Sequence, residues 1–515
     1  MLGLATLVAT SAAAQQPAKI DAADTAWMLT ATALVLMMTI PGLALFYAGM
    51  VRKKNVLATM AQSLAATAPR RATQSIAGGN DMAGLLRRAA AIAAPIGLVS
   101  IMASPARAAG SEINTADTAW MIVATALVLM MTIPGLALFY SGMVRKKNVL
   151  ATMAQSLAAV TIISILWVAF GYSLCFVGDG PWIGTLDRWF LAGMTMDSVN
   201  PAAKTIPEAL FMLYQMTFAI ITVALVAGAV ADRMRFSAYL LLSVAWFIFV
   251  YIPLAHWVWG GGFLATMGVL DFAGGLVVHL SAGVSGLVAA KVMGRRNGYG
   301  SENLSPFDLS LAVVGTGLLW VGWFGFNGGS AFAANPRAVM AIIATHLAAC
   351  AGALTWGAIE WVTRRKPSVL GMISGAVAGL GTITPASGFV LPWHGVVIGL
   401  IAGTFCFWAC TKLKLRCGYD DSLDVFGVHG VGGATGTFLT GIFAAAAVGE
   451  TAGLIEGNGK QLLYQVYGIV AVLLWSGVAT FVILKAINAF VPLRVNDETE
   501  RSGLDIALHG ESIHS

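Results

Sequence analysis

Charge is what this chain has least of. Only 10% of its 515 residues are Asp, Glu, Lys or Arg, against 58% hydrophobic, whereas a water-soluble domain carries about 25% charged residues. A deficit of that size excludes an ordinary soluble protein and makes the lipid bilayer the main solvent. Cysteine is scarce too. Cys175, Cys350, Cys406, Cys410 and Cys417 show no paired spacing and lie mostly in apolar stretches, which argues for membrane-core packing over a disulfide framework or a zinc site. The formal net charge of +6 does not point to nucleic acid, because most basic residues fall in short clusters between apolar runs, a pattern that suits membrane orientation. No enzymatic chemistry, cofactor or metal is expected.

What is present is a series of apolar segments long enough to cross a bilayer of about 30 Å. They run at 119–143, 148–176, 206–231, 236–257, 272–293, 308–332, 337–363, 368–386, 391–411, 424–447 and 464–490, eleven in all. The joints alternate in charge. Arg145/Lys146/Lys147, Arg233/Arg235, Lys291/Arg295/Arg296, Arg364/Arg365/Lys366 and Lys412/Lys414/Arg416 fall on one side, and only Arg188, Lys204, Arg337 and Lys460 on the other. Fourteen against four predicts that the first set is cytoplasmic, with the N-terminus of the eleven-helix unit outside and the tail from Arg494 inside.

Two segments resemble each other although they run in opposite directions. Asp271-Phe-Ala-Gly-Gly leads to His279, and Asp424-Val-Phe-Gly-Val leads to His429. They open the fifth and tenth helices, and an offset of five reverses orientation, the mark of an inverted repeat whose working site lies near the midplane. The expected fold class is an all-α polytopic membrane protein: eleven transmembrane helices, an inverted five-plus-five repeat and an extra N-terminal partial duplication.

That duplication is a near copy. Residues 24–66 recur as 117–159 with three differences, Leu29/Ile122, Thr30/Val123 and Ala48/Ser141. Between the copies, Met82-Ala-Gly-Leu-Leu-Arg-Arg, an apolar stretch and Ala106-Arg107-Ala108 have the anatomy of a signal peptide. The chain therefore divides into a partial duplicate of the first transmembrane region with a linker at 1–81, a signal-peptide-like segment at 82–108, a transmembrane domain at 109–493 and a cytoplasmic C-terminal tail at 494–515.

His279 and His429 carry the first chemistry. Counted from the helix starts, they lie about 12 Å and about 7–8 Å in, approaching the membrane middle from opposite faces. An ionisable group there is costly and marks a pathway, although two separately bonded structural histidines or a haem ligand pair are the competing readings. Aromatics gather near the outer ends of neighbouring helices: Trp257, Trp259, Trp320, Trp323, Phe324, Phe326, Tyr214 and Phe218, with Ser330 among them. Such a group is either an interfacial belt or a cation site, where ring faces contribute about 2 kcal/mol when desolvated. Asp271 and Asp424 each precede a helix and so also read as N-caps. His346 reads as a bonded structural histidine, and His256 lies beside the aromatic group.

Five runs then carry a resemblance. Ile133-Pro-Gly-Leu-Ala-Leu-Phe-Tyr-Ser-Gly, Ala255-His-Trp-Val-Trp-Gly-Gly-Gly, Leu270-Asp-Phe-Ala-Gly-Gly-Leu-Val-Val-His, Gly322-Trp-Phe-Gly-Phe-Asn-Gly-Gly-Ser and Asp424-Val-Phe-Gly-Val-His-Gly are similar, in order over about 115–511, to the ammonium transporter (Amt/MEP/Rh) family. The resemblance implies a homotrimer with one pore per subunit in a bacterial inner membrane, carrying ammonium, ammonia or methylammonium. It implies an outer recruitment site at Trp259, Ser330 and Phe218, with Asp271 needed there, a phenyl gate of Phe218 and Phe326, and paired pore histidines at His279 and His429. Trp323 would line the pore and Asp424 the inner mouth. Tyr214 stands where some relatives have a second phenylalanine, and Leu423 where some carry cysteine. The run Gly503-Leu-Asp-Ile-Ala-Leu-His-Gly-Glu resembles the family's tail and implies a PII-type regulatory partner. Two other functions stay open at this point: an ammonium sensor acting through a separate partner, and a membrane haem protein.

Overall fold

The computed structural model describes residues 113–513 and Met50. The rest of the partial duplicate and the signal-peptide-like segment lie outside the described residues. Apart from two isolated bridges, regular structure among the described residues is helical. All eleven expected segments are helices: α1 (Thr115–Met143), α2 (Lys146–Phe176), α3 (Glu208–Val230), α4 (Phe236–Met267), α5 (Gly275–Met293), α6 (Leu309–Gly328), α7 (Pro336–Arg364), α8 (Val369–Ile383), α9 (His394–Cys417), α10 (426–443) and α11 (Gly459–Phe490). Among the described residues nine are long and apolar enough to cross a membrane on length and composition; α8 and α10 are the shorter, glycine-rich pair.

Position in the bundle follows from which faces are apolar. Helix α3 is hydrophobic all round and buried nearly all round, as a central helix must be. Helix α11 instead exposes Leu463, Val470, Leu474, Val478 and Val482, apolar surface that only lipid or another protein satisfies. Polar residues set the ends. Asn114, Asp308, Asn335 and Ser368 accept hydrogen bonds from the first backbone N–H groups of α1, α6, α7 and α8.

The inverted repeat has a concrete structural form at α5 and α10. Each opens with a π-helical turn, Gly275–Leu280 and Phe426–Gly430, and each turn carries its histidine. The carboxylate that matches Asp271 in position is Asp421 rather than Asp424. Asp271 and Asp421 each lie eight residues before their histidine, and each accepts from the backbone N–H five residues on, at Leu276 (2.8 Å) and Phe426 (2.7 Å). Asp424 is offset from that register, with a left-handed φ of 57° that Asp tolerates better than most residues.

The two helices pack by having almost no side chain where they cross. A Cβ on Gly433 would lie 2.5 Å from the Gly275 carbonyl oxygen, and one on Gly283 would meet the backbone of Gly430 at 2.2 Å. Small residues at such crossings let backbones approach within van der Waals contact, the main source of helix association in lipid.

The basic joints converge on one end of the bundle. Arg296 pairs with Asp232 (3.1 Å) and Asp420 (2.8 Å), Arg145 with Asp232 (3.4 Å), and Arg494 with Glu500 (2.7 Å). Burial works against the Asp420 carboxylate, but Arg296 outweighs it and holds the group below the usual carboxylate range. The tail docks on the same end. Asp505 accepts from the N–H groups of Leu150 (3.1 Å) and Ala151 (2.8 Å), the Leu504 N–H donates to Asn148 (2.8 Å), and the Lys147 ammonium reaches the Arg501 carbonyl. Tail and basic joints thus share one face, as the alternation of charge predicts.

Candidate functional site

At the N-terminal half of α3 lies the cavity expected to be the outer one, of about 200 Å³ and lined by Phe218, Trp259, Ser330, Gln215, Phe272 and Phe332, among others. Trp259 reaches it because α4 bends at Gly260-Gly261-Gly262. Gly261 has φ 86°, and a Cβ on Gly260 would collide with the Cys175 carbonyl at 1.9 Å. The Trp259 indole N–H donates to the Asp271 backbone carbonyl (2.8 Å), and its ring stands edge-on to Phe218, centroids 5.8 Å apart. The Ser330 hydroxyl donates backward to the Phe326 carbonyl (2.8 Å). The Tyr214 hydroxyl also lies 3.3 Å from the Ser330 oxygen; with the Ser330 hydrogen committed to the carbonyl, a lone pair remains for a ligand, so it is an acceptor suited to a cation.

The floor of this cavity is a pair of phenyl rings. Phe218 and Phe326 stack with centroids 4.1 Å apart and an interplanar angle of 18°. Phe326 sits in the π-helical turn Phe324–Gly328 at the end of α6. The Tyr214 hydroxyl lies 2.9 Å and 2.8 Å from the carbonyls of Gly325 and Phe326, so Tyr214 anchors that turn while Phe332 supplies the extra aromatic wall of the cavity.

Beyond the phenyl pair lies a cavity of about 10 Å³, lined by Leu225, Ile221, Leu319, Trp323, His279 and His429 among others, the threshold for holding one water-sized molecule. The imidazole planes are nearly parallel, at 12° with centroids 5.2 Å apart, and the rings meet at their Nδ1 edges, Nδ1 to Nδ1 at 3.2 Å. Trp323 stacks on His279 at 5.5 Å and is fixed by its N–H to Thr384 (2.9 Å). Both histidines are buried, and His279 Nε2 has no hydrogen-bond partner among the described residues. A hydrogen bond between two Nδ1 atoms needs one protonated and one bare nitrogen. The two Nε2 atoms must then have opposite characters, one donor and one acceptor.

Past His429 a cavity of about 290 Å³ opens between Tyr140, Glu360, Arg364, Ser422 and Asp424. Asp424 pairs there with Lys414 (2.7 Å). Asp421 lies beside it, fully buried, and burial pushes its carboxyl up to about 6, with Lys414 opposing.

Every residue expected at the site therefore lies along one file from the outer cavity to the inner one, except Asp271, whose carboxylate is turned away. Its two oxygens accept from the N–H groups of Gly274, Gly275, Leu276 and Val277 at 2.6–3.1 Å. It caps the turn that carries His279, while its carbonyl orients Trp259. His256 is structural, its ring nitrogens 2.9 Å and 2.5 Å from the carbonyls of Cys175 and Gly180. His346 is exposed on α7, its Nε2 3.7 Å from Cys350 Sγ, with Trp320 and Phe324 nearby. Sequence reasoning missed Gln215, Phe332, Asp421 and Lys414; of these only Asp421 left a signal, the repeated eight-residue spacing to its histidine.

Comparison with known proteins gives an independent result. The model of the Ammonium Transporter Family matches residues 26–69 and 119–513, so it covers both copies of the repeated first segment. An ammonium transporter of Bacillus subtilis is 48% identical over 400 residues, 77% of this chain and 98% of that protein. The crystal structure of Saccharomyces cerevisiae Mep2 superposes with a TM-score of 0.71 at 39% identity, covering 75% of this chain and 89% of that one. A structure described as a sensor Amt protein gives the same TM-score at 28% identity, over 76% and 98%.

Proposed function

The chain belongs to the Ammonium Transporter Family, and from that membership we propose that it captures ammonium in the outer cavity, removes a proton and passes ammonia along the two histidines. One observation carries the reading: a closed phenyl pair stands directly between a cavity fit for a cation and a dry lumen fit for a small neutral molecule.

The energetics select the neutral species. Taking an ammonium-sized ion into a dry medium costs on the order of 20 kcal/mol before relaxation. Ammonium's pKa lies roughly two units above neutral, so losing the proton at pH 7 costs about 3 kcal/mol. Trp259 and Phe218 hold the ion over their faces, Ser330 accepts from it, and Asp271 acts through the two groups it fixes. Beyond the gate, ammonia accepts from whichever histidine Nε2 carries hydrogen and donates to the one that does not. If the bare Nε2 of one ring takes up a proton, that ring can pass its Nδ1 hydrogen to the other, which then releases its own Nε2 hydrogen; the two rings end with their roles swapped, so the pair also offers a proton route. Asp424 and Lys414 give the inner mouth its polarity.

The same membership supports the setting we propose. The chain sits in a bacterial inner membrane as a homotrimer, each subunit with its own pore, with the outer cavity facing away from the cytoplasm and the docked tail inside it, where a PII-type protein binds. Methylammonium is a second substrate.

The test is uptake of radiolabelled methylammonium and ammonium-driven current in proteoliposomes of the full chain. Uptake above that of empty vesicles, competed by ammonium, is expected, together with a current. Vesicles no more permeable than empty ones overturn the reading, and uptake without current removes the proton route alone.

A further inference from the structure

Gln215 sits on α3 in the wall of the outer cavity, one helical turn from both Phe211 and Phe218. It is 5% exposed, and its amide oxygen Oε1 has no hydrogen-bond partner among the described residues. A buried acceptor without a donor is costly, and native proteins rarely leave one unless something else completes it. The other side chains that line the cavity supply no donor. The phenyl rings of Phe211, Phe218 and Phe332 have none, the Trp259 indole N–H is spent on Asp271, and the Ser330 hydroxyl is spent on Phe326. Every hydrogen that could satisfy the amide oxygen from these neighbours points elsewhere.

We infer that Gln215 is a second hydrogen-bond acceptor for the ammonium ion, complementing Ser330. This rests on the outer cavity being the recruitment site. An ammonium ion has four N–H bonds in a tetrahedron and no lone pair, so it needs acceptors and only acceptors. The cavity offers it a Ser330 lone pair, the Gln215 carbonyl and the faces of Trp259 and Phe218. Water in the same space, which at about 200 Å³ has room for the ion and several solvent molecules, completes the rest. The last torsion of the side chain is broad and roughly two-fold, so turning the amide over exchanges oxygen and NH₂ without changing its shape. A cation selects the oxygen-in orientation, so the residue adapts to the ion's arrival without moving the helix. Bonds to a charged partner are worth roughly twice those between neutral groups, so the contribution appears as affinity for the ion and not as speed of passage.

The experiment measures saturation of methylammonium uptake in proteoliposomes for the wild-type chain, Gln215→Met and Gln215→Glu. Methionine keeps the length of the side chain and removes the acceptor. Its half-saturating concentration is expected to rise about ten-fold or more, with the maximal rate held within about two-fold. Glutamate keeps the oxygen and adds a charge, so its half-saturating concentration falls, and the fall shrinks as ionic strength rises. An unchanged half-saturation in Gln215→Met, or a loss confined to its maximal rate, overturns the inference while leaving ammonium transport itself intact. If Gln215→Met does not yield folded protein, Gln215→Glu decides: affinity equal to or below wild type also overturns it. Failure of the wild-type chain to transport is a different result and counts against the recruitment reading instead.

Discussion

Gly283 of α5 and Gly430 of α10 touch backbone to backbone: a Cβ on Gly283 would lie 2.2 Å from the Gly430 nitrogen and 2.3 Å from its Cα. The contact lies beside both imidazoles, since Gly430 directly follows His429 and Gly283 lies one turn beyond His279. The separation of 3.2 Å between the two Nδ1 atoms therefore depends on a position where a single methyl group has no room. Helix packing and proton sharing are the same geometric fact seen at two scales.

Gly283→Ala tests that link. Forcing a methyl into a packed crossing costs about 1–3 kcal/mol, and the helices relieve it by moving apart, which lengthens the histidine pair. Thermal denaturation of the detergent-solubilised variant is expected at a lower temperature than wild type, with uptake reduced in the protein that remains folded. A variant with wild-type stability and wild-type uptake would show that the crossing has slack and that the pair is held by something else.

The histidines should behave as one unit. With a single proton shared between the Nδ1 atoms, removing either ring removes the relay. His279→Ala and His429→Ala are each expected to lower ammonium-driven current by about 100-fold or more, and the double variant to be hardly worse than either. Current in proteoliposomes, normalised to incorporated protein, measures this. Losses that multiply in the double variant would mean the rings act independently.

How much of this was legible beforehand depends on whether a feature is periodic or depends on contact. All eleven helices could be read because burial in lipid writes long apolar runs, and the grouping of Arg145, Arg233, Arg296 and Arg494 at one end could be read from alternation of charge. His279 and His429 stood out because an ionisable group is conspicuous in an apolar helix. Gln215 did not, because a polar residue in α3 reads equally as a satisfied one, and only the surrounding hydrogen-bond geometry shows that its oxygen is left over. Asp424 opens the run that resembles the one at Asp271 and so draws the eye in the sequence, whereas Asp421, three residues earlier, does not; the hydrogen bond from the Phe426 N–H to Asp421 is a fact of folding and not of spacing alone. Tyr214 was placed beside the outer site by its motif, yet its hydroxyl ties down the gate turn, a role that depends on where the carbonyls of Gly325 and Phe326 end up.

Trp259 offers a separable effect. On the proposed function its ring face holds the cation, so its removal is expected to cost up to about 2 kcal/mol of binding, about 30-fold in affinity. Trp259→Leu is expected to raise the half-saturating ammonium concentration without lowering the maximal rate, because the ring takes no part beyond the gate. Trp259→Phe should lie between the two. Saturation curves for the three proteins decide it: a Leu variant that keeps wild-type half-saturation would remove Trp259 from recruitment.

Asp421 makes a prediction about pH. Its carboxyl is raised to about 6 in the folded protein by burial, with Lys414 opposing, against about 3.9 in an unfolded chain. Between those values the folded state binds more protons than the unfolded state, so stability falls as pH rises from about 4 to about 6 and is level in this respect above that. The ionised, buried group then destabilises the native state by at most roughly 3 kcal/mol near pH 7. Asp421→Asn has no such charge. Its denaturation temperature relative to wild type should therefore increase with pH across that window and reach its most favourable value above pH 6. A difference that stays constant from pH 4 to pH 8 would mean that Asp421 ionises at the same pH folded and unfolded, and that Lys414 fully compensates its burial.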